Sequence, residues 1–152
     1  MSMTRRSVVK AIAVSSAVMG LGAFMPRIAM AAWNKAAFDA KDLSGAMSAS
    51  FDGDAVDSAD VYLKAPAIAE NGAVVPVSIS SKIADTEKVM LFIDENPNPL
   101  AFSFDVSATA VPEFSTRVRM GKTSMVTAVV IAGGKAYKAS SEVKVTIGGC
   151  GG

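Results

Sequence analysis

The sequence predicts a mainly β protein: an immunoglobulin-like antiparallel β-sandwich with an N-terminal helix and a flexible, glycine-rich C-terminal arm. Three observations predict it. Past residue 60 the apolar residues recur with the two-residue period of strands, in about seven short runs separated by turn residues. No helical period intervenes between those runs. The one cysteine excludes the internal pair of an antibody-type domain, so the sandwich has to be held by its core alone.

Residues 1–31 are read as a signal. Thr4-Arg5-Arg6-Ser7-Val8-Val9-Lys10 is a twin-arginine n-region, an uncharged stretch follows from Ala11 to Pro26, and Ala29-Met30-Ala31 has the small-x-small shape of a cleavage site after Ala31. The apolar run from Ala11 to Met25 is fifteen residues with two glycines. That falls short of the roughly 20 a bilayer requires, so no stable membrane insertion is expected after cleavage. Arg5, Arg6, Lys10 and Arg27 leave with the signal and no acidic residue does, so the 15 Lys and Arg fall to 11 against 14 Asp and Glu, a net charge of −3. An acidic surface without a basic stripe argues against nucleic acid as a partner.

Residues 32–147 are expected to form the domain. From Trp33 to about Ser50 an alanine-rich stretch with Phe38, Leu43 and Met47 predicts one helix, with Asn34 as N-cap and Gly45 as a weak point. Residues 51–59 read as a loop. Asp52, Asp54 and Asp57 lack the glycine and distal glutamate of a helix-loop-helix calcium loop, so a solvated acidic loop is expected. Asp60 to Lys64 is a short strand. Val74 to Ser80 alternates apolar with small polar residues after an Asn71-Gly72 turn signal. Lys88 to Asp94 is continuous enough for a buried strand, and Asn96-Pro97-Asn98-Pro99 breaks it, either as a tight turn or as a surface for a partner. Leu100 to Val106 is read with Leu100, Phe102, Phe104 and Val106 on one face. Glu113 to Met120 sets Phe114 against a polar face with Arg117 and Arg119. Ser124 to Ala132 and Lys135 to Ile147 form a pair turned by Gly133-Gly134.

Residues 148–152, Gly148-Gly149-Cys150-Gly151-Gly152, are the arm. Glycines are costly to order and pack poorly, so this thiol is not placed in a core. No Lys, Arg or His lies within five residues of Cys150, and nothing local would depress its pKa as at a catalytic cysteine. The chain has no histidine, which removes the commonest general base and metal ligand, and with one cysteine any Cys/His zinc site is impossible. No metal and no cofactor is expected, and neither is catalysis: a thiol peroxidase or rhodanese-like transferase would lack its activating groups. An adaptor reading stays open, in which Cys150 forms an intermolecular disulfide in an oxidising compartment. Ubiquitin-like sulfur carriers also end in Gly-Gly, but they load by ATP-dependent adenylation, which an exported chain would not meet.

The GGCGG ending after a strand, the twin-arginine signal, and the blocks APAIAENG (65–72), AENGAVVPVSI (69–79), ENPNPL (95–100) and STRVRM (115–120) resemble the SoxY family, the sulfur-carrier subunits of the periplasmic Sox system. The resemblance implies that Cys150 carries thiosulfate-derived intermediates covalently, first as a cysteine S-thiosulfonate. It implies a SoxZ-like subunit as heterodimer partner. The c-type cytochrome complex SoxAX would load the thiol, and the hydrolase SoxB would release sulfate. A sulfane dehydrogenase, SoxCD, would act in hosts that have one. Twin-arginine export of a folded chain without cofactor ligands further suggests export already bound to the SoxZ-like partner.

Overall fold

The computed structural model describes residues 34–146. The signal, Ile147 and the glycine-cysteine ending lie outside that range. Two short helices open the described residues, α1 (Lys35–Asp39) and α2 (Leu43–Ser50). The expected single helix is therefore interrupted, and the cause is local. Asp42 is extended at φ −137° and its carboxylate accepts from the Gly45 N–H at 2.7 Å, capping α2. A short acidic side chain gains more as an N-cap than inside a helix, at about 1 kcal/mol. Asn34 caps α1 as expected, accepting from the Ala37 N–H.

Nine strands follow among the described residues: β1 (Val56–Asp57), β2 (Val61–Lys64), β3 (Ile68–Ala69), β4 (Val75–Ser81), β5 (Thr86–Ile93), β6 (Leu100–Asp105), β7 (Glu113–Val118), β8 (Ser124–Ala132) and β9 (Lys135–Val145). They build a six-stranded sheet in the order β1-β9-β8-β5-β6, with β3 also on β9, and a three-stranded sheet in the order β2-β4-β7. The antiparallel sandwich is as expected, with one addition. β1 and β3, two residues each, pair parallel with β9. Runs that short carry no periodic signal, and β1 falls in the stretch read as a loop.

The burial pattern explains why the strands differ in sequence. β4 alternates because its outer face meets water: Val75, Val77 and Ile79 are buried, while Pro76, Ser78 and Ser80 lie outside. β5 and β8 are near-continuous apolar runs because the larger sheet is covered twice. Val89, Leu91, Ile93, Val126, Ala128 and Val130 face the smaller sheet. Met90, Phe92 and Val129 face the helices, meeting Ala37 and Ala46. The result is three layers: helices, six-stranded sheet and three-stranded sheet.

β6 departs from its expected pattern. A register shift between Leu91 and Phe92 pairs Leu91 with Phe102 but Phe92 with Leu100. The extra residue turns Leu100 toward the helices while Phe102 and Val106 stay against the inter-sheet core. Phe104 stacks on Phe114 across the two sheets, with ring centroids 5.5 Å apart. The β8–β9 hairpin turns at Gly133 (φ 54°) and Gly134 (φ 71°). Positive φ at both central residues is what a type I′ turn requires.

Candidate functional site: the root of the C-terminal arm

Cys150 and the flanking Gly148, Gly149, Gly151 and Gly152 lie outside the described residues. What the structure places is the ground they leave from, the last residues of β9. Val143 is fully buried, Val145 packs against the inter-sheet core, and Lys144 and Thr146 point to solvent. Three backbone donors hold this end. The Lys144 N–H donates to the Ala67 carbonyl at 3.0 Å and the Thr146 N–H to the Ala69 carbonyl at 3.1 Å. From the other side the Val145 N–H donates to Thr123 Oγ1 at 3.1 Å. The strand is tied on both edges up to the last described residue.

The strap carrying Ala67 and Ala69 is itself locked. After β3 the chain turns at Asn71, whose Oδ1 accepts from the Ala73 N–H at 2.9 Å, and crosses to the smaller sheet. At Gly72 it passes so close to its neighbours that an added Cβ would lie 2.4 Å from the Met120 carbonyl oxygen and 2.8 Å from Val145 Cγ1. The Gly72 carbonyl also accepts from the Met120 N–H at 2.7 Å. This glycine is present for close approach of three segments, since its φ is not in the left-handed region. The Asn71-Gly72 pair was legible as a turn. Its role as a keystone was not, because that depends on Met120 and Val145, far along the chain.

The Asn96-Pro97-Asn98-Pro99 segment proves to be a turn whose asparagines grip the protein's own backbone. Asn96 Nδ2 donates to the Arg119 carbonyl at 2.8 Å, and Asn96 Oδ1 accepts from the Gly121 N–H at 3.4 Å, bracketing Met120. Asn98 Nδ2 donates to the Phe38 carbonyl at 2.7 Å, fastening α1. Beside it Lys122 and Glu95 pair at 2.7 Å in solvent. Burial first, and the Glu95 charge second, push the Asp94 carboxyl above its ordinary pKa, and its Oδ1 has no hydrogen-bond partner. Among the described residues no group of three or more His, Cys, Asp or Glu is placed to hold a metal ion, and no helix is long and apolar enough to cross a membrane.

The fold and the root define a two-sheet β-sandwich whose final strand is fixed to its end, with the chain's one cysteine four positions beyond the last described residue. The family model "Sulfur oxidation protein SoxY" matches residues 47–150, from α2 to that cysteine. The chain belongs to the SoxY family, and membership ties it to sulfur oxidation. Among solved structures it is similar to the sulfur carrier protein SoxY from Chlorobium limicola f thiosulfatophilum, at 44% identity and a TM-score of 0.64, covering 70% of this chain and 97% of that one. A superoxide reductase (neelaredoxin) from Ignicoccus hospitalis aligns at a TM-score of 0.50 and 16% identity, over 57% of this chain and 79% of that one. That likeness is one of fold alone. No curated protein matches the sequence.

Proposed function

We propose that the chain is a non-catalytic sulfur carrier of thiosulfate oxidation, holding its intermediates covalently on Cys150. The observation that supports this most directly is the family match running to Cys150, the chain's sole thiol, just past a strand end pinned from both sides. Gly148, Gly149, Gly151 and Gly152 serve as a slim swinging arm that threads the thiol into partner active sites. In the loading step the Cys150 sulfur and the sulfane sulfur of thiosulfate form an S–S bond. The thiol proton goes to solvent and two electrons go to the c-type cytochrome complex SoxAX. In the release step SoxB directs water to the sulfonate sulfur and the S–S bond to it breaks. Sulfate leaves, and a persulfide stays on Cys150 for SoxCD where the host has it. The chain brings position and a leaving sulfur; its partners bring the oxidant and the base. It works in the periplasm as a heterodimer with a SoxZ-like subunit, exported by the twin-arginine pathway together with that subunit after removal of residues 1–31.

Intact-mass analysis of protein from thiosulfate-grown cells tests the carrier role. Sulfur-containing adducts are expected on the C-terminal peptide and are expected to vanish in Cys150→Ser at unchanged melting temperature. A tail bearing only free thiol or an intermolecular disulfide during turnover would defeat the carrier reading, and the disulfide would favour the adaptor. Export of the mature domain at the normal rate in cells lacking the SoxZ-like partner would refute joint export.

A further inference from the structure

The outer face of the three-stranded sheet carries an arrangement that neither the fold nor the root clamp uses. Pairing of β2, β4 and β7 aligns Lys64, Ser78 and Ser115 in one cross-strand row and sets Arg117 beside Pro76 in a neighbouring row. Ser78 Oγ and Ser115 Oγ are 2.9 Å apart. Together with Pro76, Val77, Thr116 and Arg117 they line a depression of about 220 Å³. Within the described residues the Arg117 guanidinium has no ion pair and no hydrogen bond. Arg119, two residues on and just past the end of β7, is exposed. The one acidic residue of β7 on this face, Glu113, lies one row beyond Ser115, opposite Ser80. Residues 32–152 carry 11 basic against 14 acidic side chains, so an unneutralised guanidinium lining the same depression as two hydroxyls is a local reversal of sign. A planar guanidinium beside O–H donors is the chemistry that selects oxoanions.

We propose that Arg117, Ser78 and Ser115 form a resting seat for the sulfonate that Cys150 carries, with Lys64 and Arg119 extending the positive field. This rests on the carrier reading above. The reach is adequate. Gly72 closely approaches both the Met120 carbonyl and Val145, and Arg117 is three residues before Met120, about 10 Å of extended chain. Cys150 lies four residues past Thr146, up to about 13 Å of extended chain. Seating the sulfonate would hold the loaded sulfur against the domain and away from stray thiols until a partner displaces it.

Tetrathionate supplies the test. The Cys150 thiolate attacks one of its inner sulfurs; one S–S bond forms, one breaks, thiosulfate leaves, and the thiol proton is lost to solvent. Intact mass verifies loading. Amide and arginine side-chain NMR signals of Ser78, Ser115 and Arg117 are then compared in loaded and unloaded protein. Loading is expected to shift all three, and the shifts are expected to shrink with added salt and to be lost in Arg117→Gln. Removal of the adduct by a small thiol is expected to run roughly two- to fivefold faster in Arg117→Gln, the range of an exposed ion pair. Verified loading with those signals unmoved overturns the seat and leaves the carrier reading standing. Failure of the thiol to load at all overturns both. Shifts produced by millimolar free thiosulfate in Cys150→Ser, but not by loading the native chain, would assign the site to a solution anion and overturn the arm as its source.

Discussion

Replacing Gly72 with Ala probes the clamp that fixes the end of β9. The new methyl would lie 2.4 Å from the Met120 carbonyl oxygen, a backbone atom in a loop already bracketed by Asn96, and 2.8 Å from Val145 Cγ1. A rotamer change can move the Val145 methyl but not the Met120 carbonyl, so the strap has to lift. Overpacking of this kind costs about 1–3 kcal/mol. Lengthening the Met120–Gly72 hydrogen bond costs about 1 kcal/mol more. The less flexible unfolded chain returns about 0.4–1 kcal/mol. A net loss of about 2 kcal/mol follows, or about 8 °C in Tm for a domain of this length. Thermal melts of Gly72→Ala against Gly121→Ala isolate the cause. An added Cβ at Gly121 meets nothing within 4 Å, and neither glycine has positive φ. Hydrogen exchange supplies the local readout. The amides of Met120, Lys144 and Thr146 are expected to lose protection in Gly72→Ala and to keep it in Gly121→Ala. Equal Tm values for the two variants, or unchanged protection of Thr146, would refute the clamp.

Phe92 is fully buried between the larger sheet and the helices, and Phe92→Ala is expected to cost about 3–5 kcal/mol, read from urea unfolding. A loss under about 1 kcal/mol would show that the helical layer does not seal that face. Asp94→Asn tests the raised carboxyl. The native state binds its proton more tightly than the unfolded chain does, so the wild type gains stability relative to Asp94→Asn as pH falls through the raised folded pKa. The gain is complete below the ordinary aspartate pKa. Melting temperatures of both proteins between pH 7 and 3.5 check the sign, and a difference that stays flat or moves the other way contradicts it.

How much of this was legible in the sequence depends on how local each cause is. Val75, Val77 and Ile79 against Ser78 and Ser80 announce a strand with one wet face, and that reading held. The unbroken run in β5 announces burial, and the helical layer supplies the reason its second face is dry. The break between α1 and α2 turns on one side chain, Asp42, which fits a helix pattern equally well until its carboxylate is seen on the Gly45 amide. Leu100 was assigned to the wrong face because a bulge changes no residue type; it changes only the count between partners. Cys150 stood out by composition alone. Its root did not, because Thr123, Ala69 and Gly72 are ordinary residues given meaning by where β9 ends.

Pinning that end has a quantitative consequence for the arm proposed above. If β9 frayed back to Val143, the tether to Cys150 would lengthen from four residues past Thr146 to seven past Val143. The effective concentration of a tethered group falls as about the −3/2 power of tether length, so presentation at a nearby site would drop about twofold with no change in the thiol itself. The hydrogen bonds from Lys144, Val145 and Thr146 keep the tether short, and Gly72 keeps those bonds in place. Gly72→Ala should therefore lower occupancy of the Arg117 seat by about that twofold factor at temperatures well below its Tm, visible as a smaller loading-induced NMR shift. A variant that lost the clamp yet filled the seat as fully as the native chain would show that the strand end, for all its anchoring, does not govern where the arm goes.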